Sequence, residues 1–288
     1  MSDSLLDRLK VLSQYLVPQH LLSRALGVLA ESRVPEIRNA LVDFFVKRYN
    51  IDMSIAAEPD PHAYACFNDF FTRALRDGVR PITTAGIACP ADGAVSQLGK
   101  IDNERIFQAK GQHYTLTQLL GGDPGRAAPF RNGDFITVYL SPRDYHRVHM
   151  PFSGVLKEMI YVPGKLFSVN TLTAQQVPAL FARNERVVAL FDTEAGPMAV
   201  ILVGAMVVAS IETVWAGLVT PPQRQLKITD YSPRPQPIAL ERGAEMGRFK
   251  LGSTAIVLFG PDVVKWKEGL QEGSPTQMGE QIATLVER

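Results

Sequence analysis

From residue 93 to the C-terminus, glycine and proline cut the chain into apolar segments of strand length, and this punctuation limits the possible folds more than any other feature. The segments lie near 93–98, 135–140, 154–162, 187–191, 198–211, 255–259 and 282–285. The longest mostly apolar stretch, Met198 to Ile211, is valine-rich and interrupted by Gly204 and Ser210, so it falls short of the ~20 apolar residues a membrane-crossing helix needs. Strand-length runs separated by turn signals predict an antiparallel sandwich or barrel. The first fifty residues follow a different period. Leu5, Leu9, Leu12 and Leu16 recur at 4-3-4 spacing behind Ser4 as a cap, and Pro18 ends the run. A second helix is expected from Pro18, with Leu21, Leu22, Leu26, Val28 and Leu29 as its apolar set, and a third from Pro35 to Asn50. A short helix should follow around Phe67 to Leu75. The fold class is therefore α+β, with an N-terminal helical region (1–65) ahead of a β-rich barrel- or sandwich-like core (66–288).

With 46% hydrophobic residues the chain can bury a sizeable core, and a net charge of +1 argues against a nucleic-acid surface. Cys66 and Cys89 form neither a disulfide framework nor a repeated metal motif, which suits two buried free thiols in a reducing cytoplasm. The N-terminus has neither a basic leader nor a continuous apolar core, so a cleaved signal peptide is not expected.

The chemistry concentrates near the C-terminus, in Phe249-Lys250-Leu251-Gly252-Ser253-Thr254. A serine hydroxyl following a glycine is well placed to add to the glycine carbonyl, because glycine leaves that carbonyl open and tolerates backbone geometries other residues resist. Read with Glu245-Met246-Gly247-Arg248, the stretch resembles the self-processing site of the bacterial, pyruvoyl-dependent phosphatidylserine decarboxylases. Further blocks in the same order extend the resemblance. They are Phe70-Phe71-Thr72-Arg73, Arg80-Pro81-Ile82, Ala91-Asp92-Gly93, the run from Tyr139 through Tyr145-His146-Arg147-Val148-His149 to Pro151, Tyr161-Val162-Pro163-Gly164 and Asn184-Glu185-Arg186.

The resemblance implies a precursor cut between Gly252 and Ser253 into a chain of residues 1–252 and a chain of 253–288. Ser253 becomes a covalent pyruvoyl cofactor whose ketone forms a Schiff base with the serine amine of the lipid. It implies His149 as the base, Asp92 as the carboxylate that fixes the tautomer of His149, and Ser253 as the third member of that set. It also implies a homodimer of cut units. His146, three residues from His149, is our candidate for protonating the product carbon or for gripping the substrate carboxylate. The substrate would be phosphatidylserine in the bilayer, the products phosphatidylethanolamine and carbon dioxide, and the enzyme class a carboxy-lyase.

A lipid substrate gives the leucine stripes a second meaning besides core packing. Helices within residues 1–30 are expected to dock peripherally on the cytoplasmic face of the cell membrane, chiefly by apolar insertion, since residues 1–50 carry seven basic against five acidic groups. Several alternatives stay open at this point. Asp92-Gly93 alone is an ordinary turn dipeptide, and His146 and His149 could be two zinc ligands on one helical face, although Pro142 and Pro151 oppose a long helix there and no metal is expected. Arg73, Arg76 or Arg80 could meet a phosphodiester, or all three could be a solvated helix face. A pyruvoyl decarboxylase of another serine-bearing lipid or of a soluble amino acid, and a non-enzymatic β-rich binding module with an uncut Gly-Ser-Thr turn, are the competing functions.

Overall fold

The computed structural model describes residues 5–109, 111–206, 210–220, 225–250 and 253–287. Three helices open the chain: α1 (Leu5–Leu16), α2 (Gln19–Ala30) and α3 (Pro35–Tyr49). Pro18 sits at the N-cap of α2 and Pro35 begins α3, where a missing N–H costs nothing. Asn50 ends α3 in the left-handed conformation. The expected short helix is α4 (Phe67–Phe71), which stops four residues before Leu75.

The strands that position the site are β1 (Gly93–Lys100), β2 (Asp134–Leu140), β3 (Arg147–His149), β4 (Gly154–Val162), β5 (Arg186–Thr193), β6 (Gly196–Val203), β7 (Ser210–Thr213), β8 (Lys227–Asp230), β9 (Glu245–Lys250) and β10 (Ser253–Phe259). One large antiparallel sheet runs β8-β4-β5-β6-β10-β2-β1 and ends on Pro275–Thr276, with Ala239–Leu240 pairing onto β4. A smaller sheet runs Gly217–Leu218, β7, β9, β3. Among the described residues the two ends of the large sheet do not pair with each other, so the sandwich form is the one observed and no barrel closes.

Two details differ from the sequence expectation. The 198–211 segment is broken into β6 and β7, which belong to different sheets. Residues 223–237, whose three prolines and weak periodicity predict a surface loop, contain β8, which pairs with the β4 edge. The prolines 233, 235 and 237 all lie beyond that ladder, where no strand hydrogen bond is lost.

β10 is central because both of its faces are apolar. Ile256 and Leu258 join a cluster with Val11, Ala30, Val42, Phe67 and Phe71 on the helical side. Ala255, Val257 and Phe259 join a second cluster with Val148, Met150, Met246, Phe249 and Ile211 on the small-sheet side. β6 alternates in the same way. Burying each side chain of this size is worth ~1.5–3 kcal/mol, so the register of β10 is held from two directions. Residues from α1–α3 therefore share one core with the sheet rather than forming their own.

Candidate active site

Gly252 and the preceding Leu251 lie outside the described residues, and Ser253 enters as the first residue of β10, opposite Leu140 at the end of β2. From Leu140 the chain passes through Ser141–His146 into β3, so the strand facing Ser253 leads directly to both histidines. β3 in turn pairs with β9, with Glu245 opposite His149, and the Phe249 N–H donates to the His146 carbonyl at 3.0 Å. β9, which precedes the Gly252-Ser253 bond in sequence, is thus paired with β3, which carries His149, and bonded to His146 just before it.

His149 Nδ1 lies 2.7 Å from the Gly243 carbonyl, and Nε2 lies 3.0 Å from the Tyr145 hydroxyl. A carbonyl can only accept, so Nδ1 carries the proton and Nε2 presents the lone pair, to which Tyr145 donates. Burial holds the His149 pKa below its ordinary value, with the Gly243 bond opposing. The imidazole is therefore a neutral base at pH 7. Gly243 can aim its carbonyl here because it sits at φ +80°, and a Cβ at that position would fall 2.7 Å from Ile82.

Asp92 does not make the contact expected of it. Its carboxylate takes the Arg80 guanidinium, with Nη2 at 2.6 Å from Oδ2 and Nε at 3.0 Å from Oδ1, and it also accepts from Met278 N–H at 2.8 Å. The tautomer of His149 is set by Gly243, and Asp92 reaches the imidazole only through its charge. The two segments remain neighbours, since His149 N–H donates to Pro90 O at 2.9 Å. Gly93 follows Asp92 for a steric reason: a Cβ there would fall 2.2 Å from the Tyr139 carbonyl on β2.

His146 is fully buried, with its ring 4.0 Å from that of Phe71. Nδ1 donates to Asp144 O at 2.8 Å, while Nε2 has no hydrogen-bond partner. Burial, the Asp144 bond opposing it, depresses its pKa to about 3. The Thr254 hydroxyl, next to Ser253, is also buried without a partner. These unfilled polar atoms suit a site that makes hydrogen bonds to a group formed or bound there, and so fit a pyruvoyl at residue 253. The two histidine rings are committed to different carbonyls, and among the described residues no group of three or more His, Cys, Asp or Glu is gathered to hold a metal. Cys66 and Cys89 are free and buried as expected, and burial pushes the Cys89 thiol up to about 12.

Tyr145, Gly243 and the Arg80 partnership escaped the sequence reading. Tyr145 stands four residues before His149 inside the motif and could have been noticed; nothing in the spacing links Arg80 to Asp92 or Gly243 to His149.

A two-layered β core with helices on one face, in which the strand opposite Ser253 leads on to two buried histidines, has the architecture the sequence implies for a self-processing precursor. Comparison with known proteins points the same way. The family profile described as phosphatidylserine decarboxylase matches residues 67–284, and a second, described as PSD, matches residues 9–50. The phosphatidylserine decarboxylase proenzyme of Pseudomonas putida strain F1 is 64% identical over 284 residues, covering 98% of this chain and 99% of that protein. The proenzyme of Bordetella avium strain 197N is 62% identical, covering 97% and 96%, and that of Pseudomonas fluorescens strain Pf0-1 is 63% identical, covering 96% and 98%. The chain belongs to the phosphatidylserine decarboxylase family.

Proposed function

We propose that this chain is the precursor of a pyruvoyl-dependent decarboxylase that cuts itself between Gly252 and Ser253 and converts phosphatidylserine to phosphatidylethanolamine and carbon dioxide. The observation that carries the reading is the hydrogen-bonding of β9, which precedes that bond in sequence, to β3, which bears His149, and to His146 just before it. His149 receives the Ser253 proton at Nε2 while Gly243 holds Nδ1–H. The Tyr145 hydroxyl must swing aside or pass the proton along, because it occupies that lone pair beforehand. Asp92 stabilises the resulting imidazolium through space, as a charge shared with Arg80.

In the mature protein the pyruvoyl group supplies an electron sink for the bond that releases carbon dioxide. His146 Nε2, buried without a partner, is suited to hydrogen-bond the bound substrate, either to relay a proton to the carbon that has lost its carboxylate or to grip the carboxylate itself.

The protein would lie peripherally on the cytoplasmic face of the membrane. No helix among the described residues is long and apolar enough to cross a membrane. Support for docking comes from apolar side chains of α1 and α2 that face outward, with Leu16 87% and Leu21 68% exposed. Two domains, 1–65 for docking and 66–288 for catalysis, and a dimer of cut units complete the reading.

Denatured intact mass tests the central claim. The expected result is two chains, the smaller having 36 residues (288 − 252) and a pyruvoyl in place of its serine N-terminus. His149→Ala should stay a single chain. His146→Ala should be cut yet decarboxylate poorly. A wild-type protein that turns over phosphatidylserine as one full-length chain would sink the proposal.

A further inference from the structure

Of the three arginines that a phosphodiester could meet, two are accounted for: Arg80 holds Asp92, and Arg76 is exposed. Arg73 is different. It is 2% exposed, and of its guanidinium nitrogens only Nη2 has an acceptor, the Arg143 carbonyl at 3.3 Å; Nε and Nη1 have none. Its flat face lies over the Phe70 ring, 5.7 Å from the centroid. The three carboxylates whose charge it feels are engaged elsewhere, Asp92 by Arg80 and Met278 N–H, Asp144 by Ser141 N–H and Oγ, both at 2.7 Å, and Asp52 by Ser54 N–H at 2.9 Å. A buried guanidinium with open donors is expensive unless something anionic fills them.

The position of Arg73 identifies the filler. Phe71 stacks on His146, Thr72 O accepts from Arg147 Nε at 2.8 Å, and Arg73 reaches Arg143. The Phe71–Arg73 segment is therefore stitched to the loop between Leu140, opposite Ser253, and the two histidines.

We infer that Arg73 binds the phosphodiester of the lipid headgroup being decarboxylated, an assignment that rests on the function proposed above. The phosphodiester is favoured over the substrate carboxylate on energetic grounds. Decarboxylation removes the carboxylate charge as the transition state forms, so an arginine on that group would stabilise the ground state and slow the reaction. The phosphodiester keeps its charge throughout, and a grip on it binds substrate, transition state and product alike. The forked N–H pair of Nε and Nη2, the pair Arg80 uses on Asp92, matches two phosphate oxygens, with one Nη2 N–H left for it beyond the bond to Arg143.

The test compares wild type, Arg73→Met and Arg73→Lys in mixed micelles of detergent and phosphatidylserine, with intact mass taken first. Arg73→Met is expected to be cut fully, to raise KM on the order of 10- to 100-fold with kcat nearly unchanged, and to weaken inhibition by phosphatidylethanolamine by the same factor. Arg73→Lys, which keeps the charge but loses the fork, should fall between, and it carries the test if the methionine variant does not fold. Full cleavage with an unchanged KM overturns the inference. So does a fall in kcat with KM unmoved, or a rise in KM that leaves product inhibition as it was, the mark of a carboxylate contact. Failure of the wild type to be cut or to act on phosphatidylserine would instead bring down the underlying function.

Discussion

Replacing Arg80 with methionine separates the structural from the catalytic use of Asp92. Asp92 is 6% exposed, and its carboxylate receives the Arg80 fork and the Met278 N–H. Removing one partner of a buried ion pair costs about 3–5 kcal/mol, because the remaining charge is left desolvated. The Met278 N–H bond survives, which points to the lower end, about 3 kcal/mol. For a chain of this length each kcal/mol lowers Tm by about 2 °C, so the expected drop is about 6 °C. The assay is thermal unfolding in a Ser253→Ala background, where every variant unfolds from the same uncut chain. Adding Asp92→Asn should recover much of the loss, since the stranded charge is gone. The freed Asp92 charge should also raise the pKa of His149 and move the acid limb of self-cleavage to higher pH, measured with Ser253 restored. A Tm within about 1 °C of the parent, or no recovery in the double variant, would refute the reasoning. An unmoved acid limb would show that His149 does not feel Asp92.

Four further outcomes follow from the same structure. On the proposed role of His149 as a neutral base, with its pKa held below the ordinary 6.5, self-cleavage should be flat through neutral pH and fall only as the pH drops through that lowered value; a decline beginning above 6.5 would contradict the assignment. Between 6.5 and about 3 the unfolded chain binds a proton at His146 that the folded chain refuses, so stability should decrease with falling pH, and substituting His146 by an aromatic residue should flatten that slope in urea titrations. Gly243→Ala, forced to φ +80° against Ile82, should cost about 1–3 kcal/mol and slow cleavage by turning the carbonyl away from His149; normal Tm and normal rate together would argue against this role. Leu16→Glu with Leu21→Glu should leave Tm within about 1 °C while weakening binding to vesicles on the order of 100-fold or more, as two leucines worth ~1.5–3 kcal/mol each are removed from the interface, and retained binding would exclude these helices as the docking face.

Much of this protein was legible from one dimension. Proline at 18 and 35 and the left-handed asparagine at 50 set helix ends through local sterics, so α1, α2 and α3 appear where the periodicity predicts them. The strand-length apolar runs emerge as β1, β2, β4, β5, β6 and β10, because alternation on two buried faces can be read without knowing the partners. The Gly252-Ser253 bond and the two histidines were likewise visible, since motif chemistry depends on residue type and short spacing.

Pairing across long separations was not visible. The break of residues 198–211 into strands of two sheets, and the β8 strand on the β4 edge, depend on which neighbour accepts each backbone hydrogen bond. The site shows the same division. Sequence determined that a histidine and an aspartate are available, but tertiary structure decided that Gly243, 94 residues from His149, holds the imidazole tautomer and that Arg80 takes the Asp92 carboxylate. It also decided that Arg73, one of three similar arginines on paper, is the one buried with open donors. Charge and residue type are local properties, whereas burial and the direction of a hydrogen bond exist only once distant segments have packed against each other.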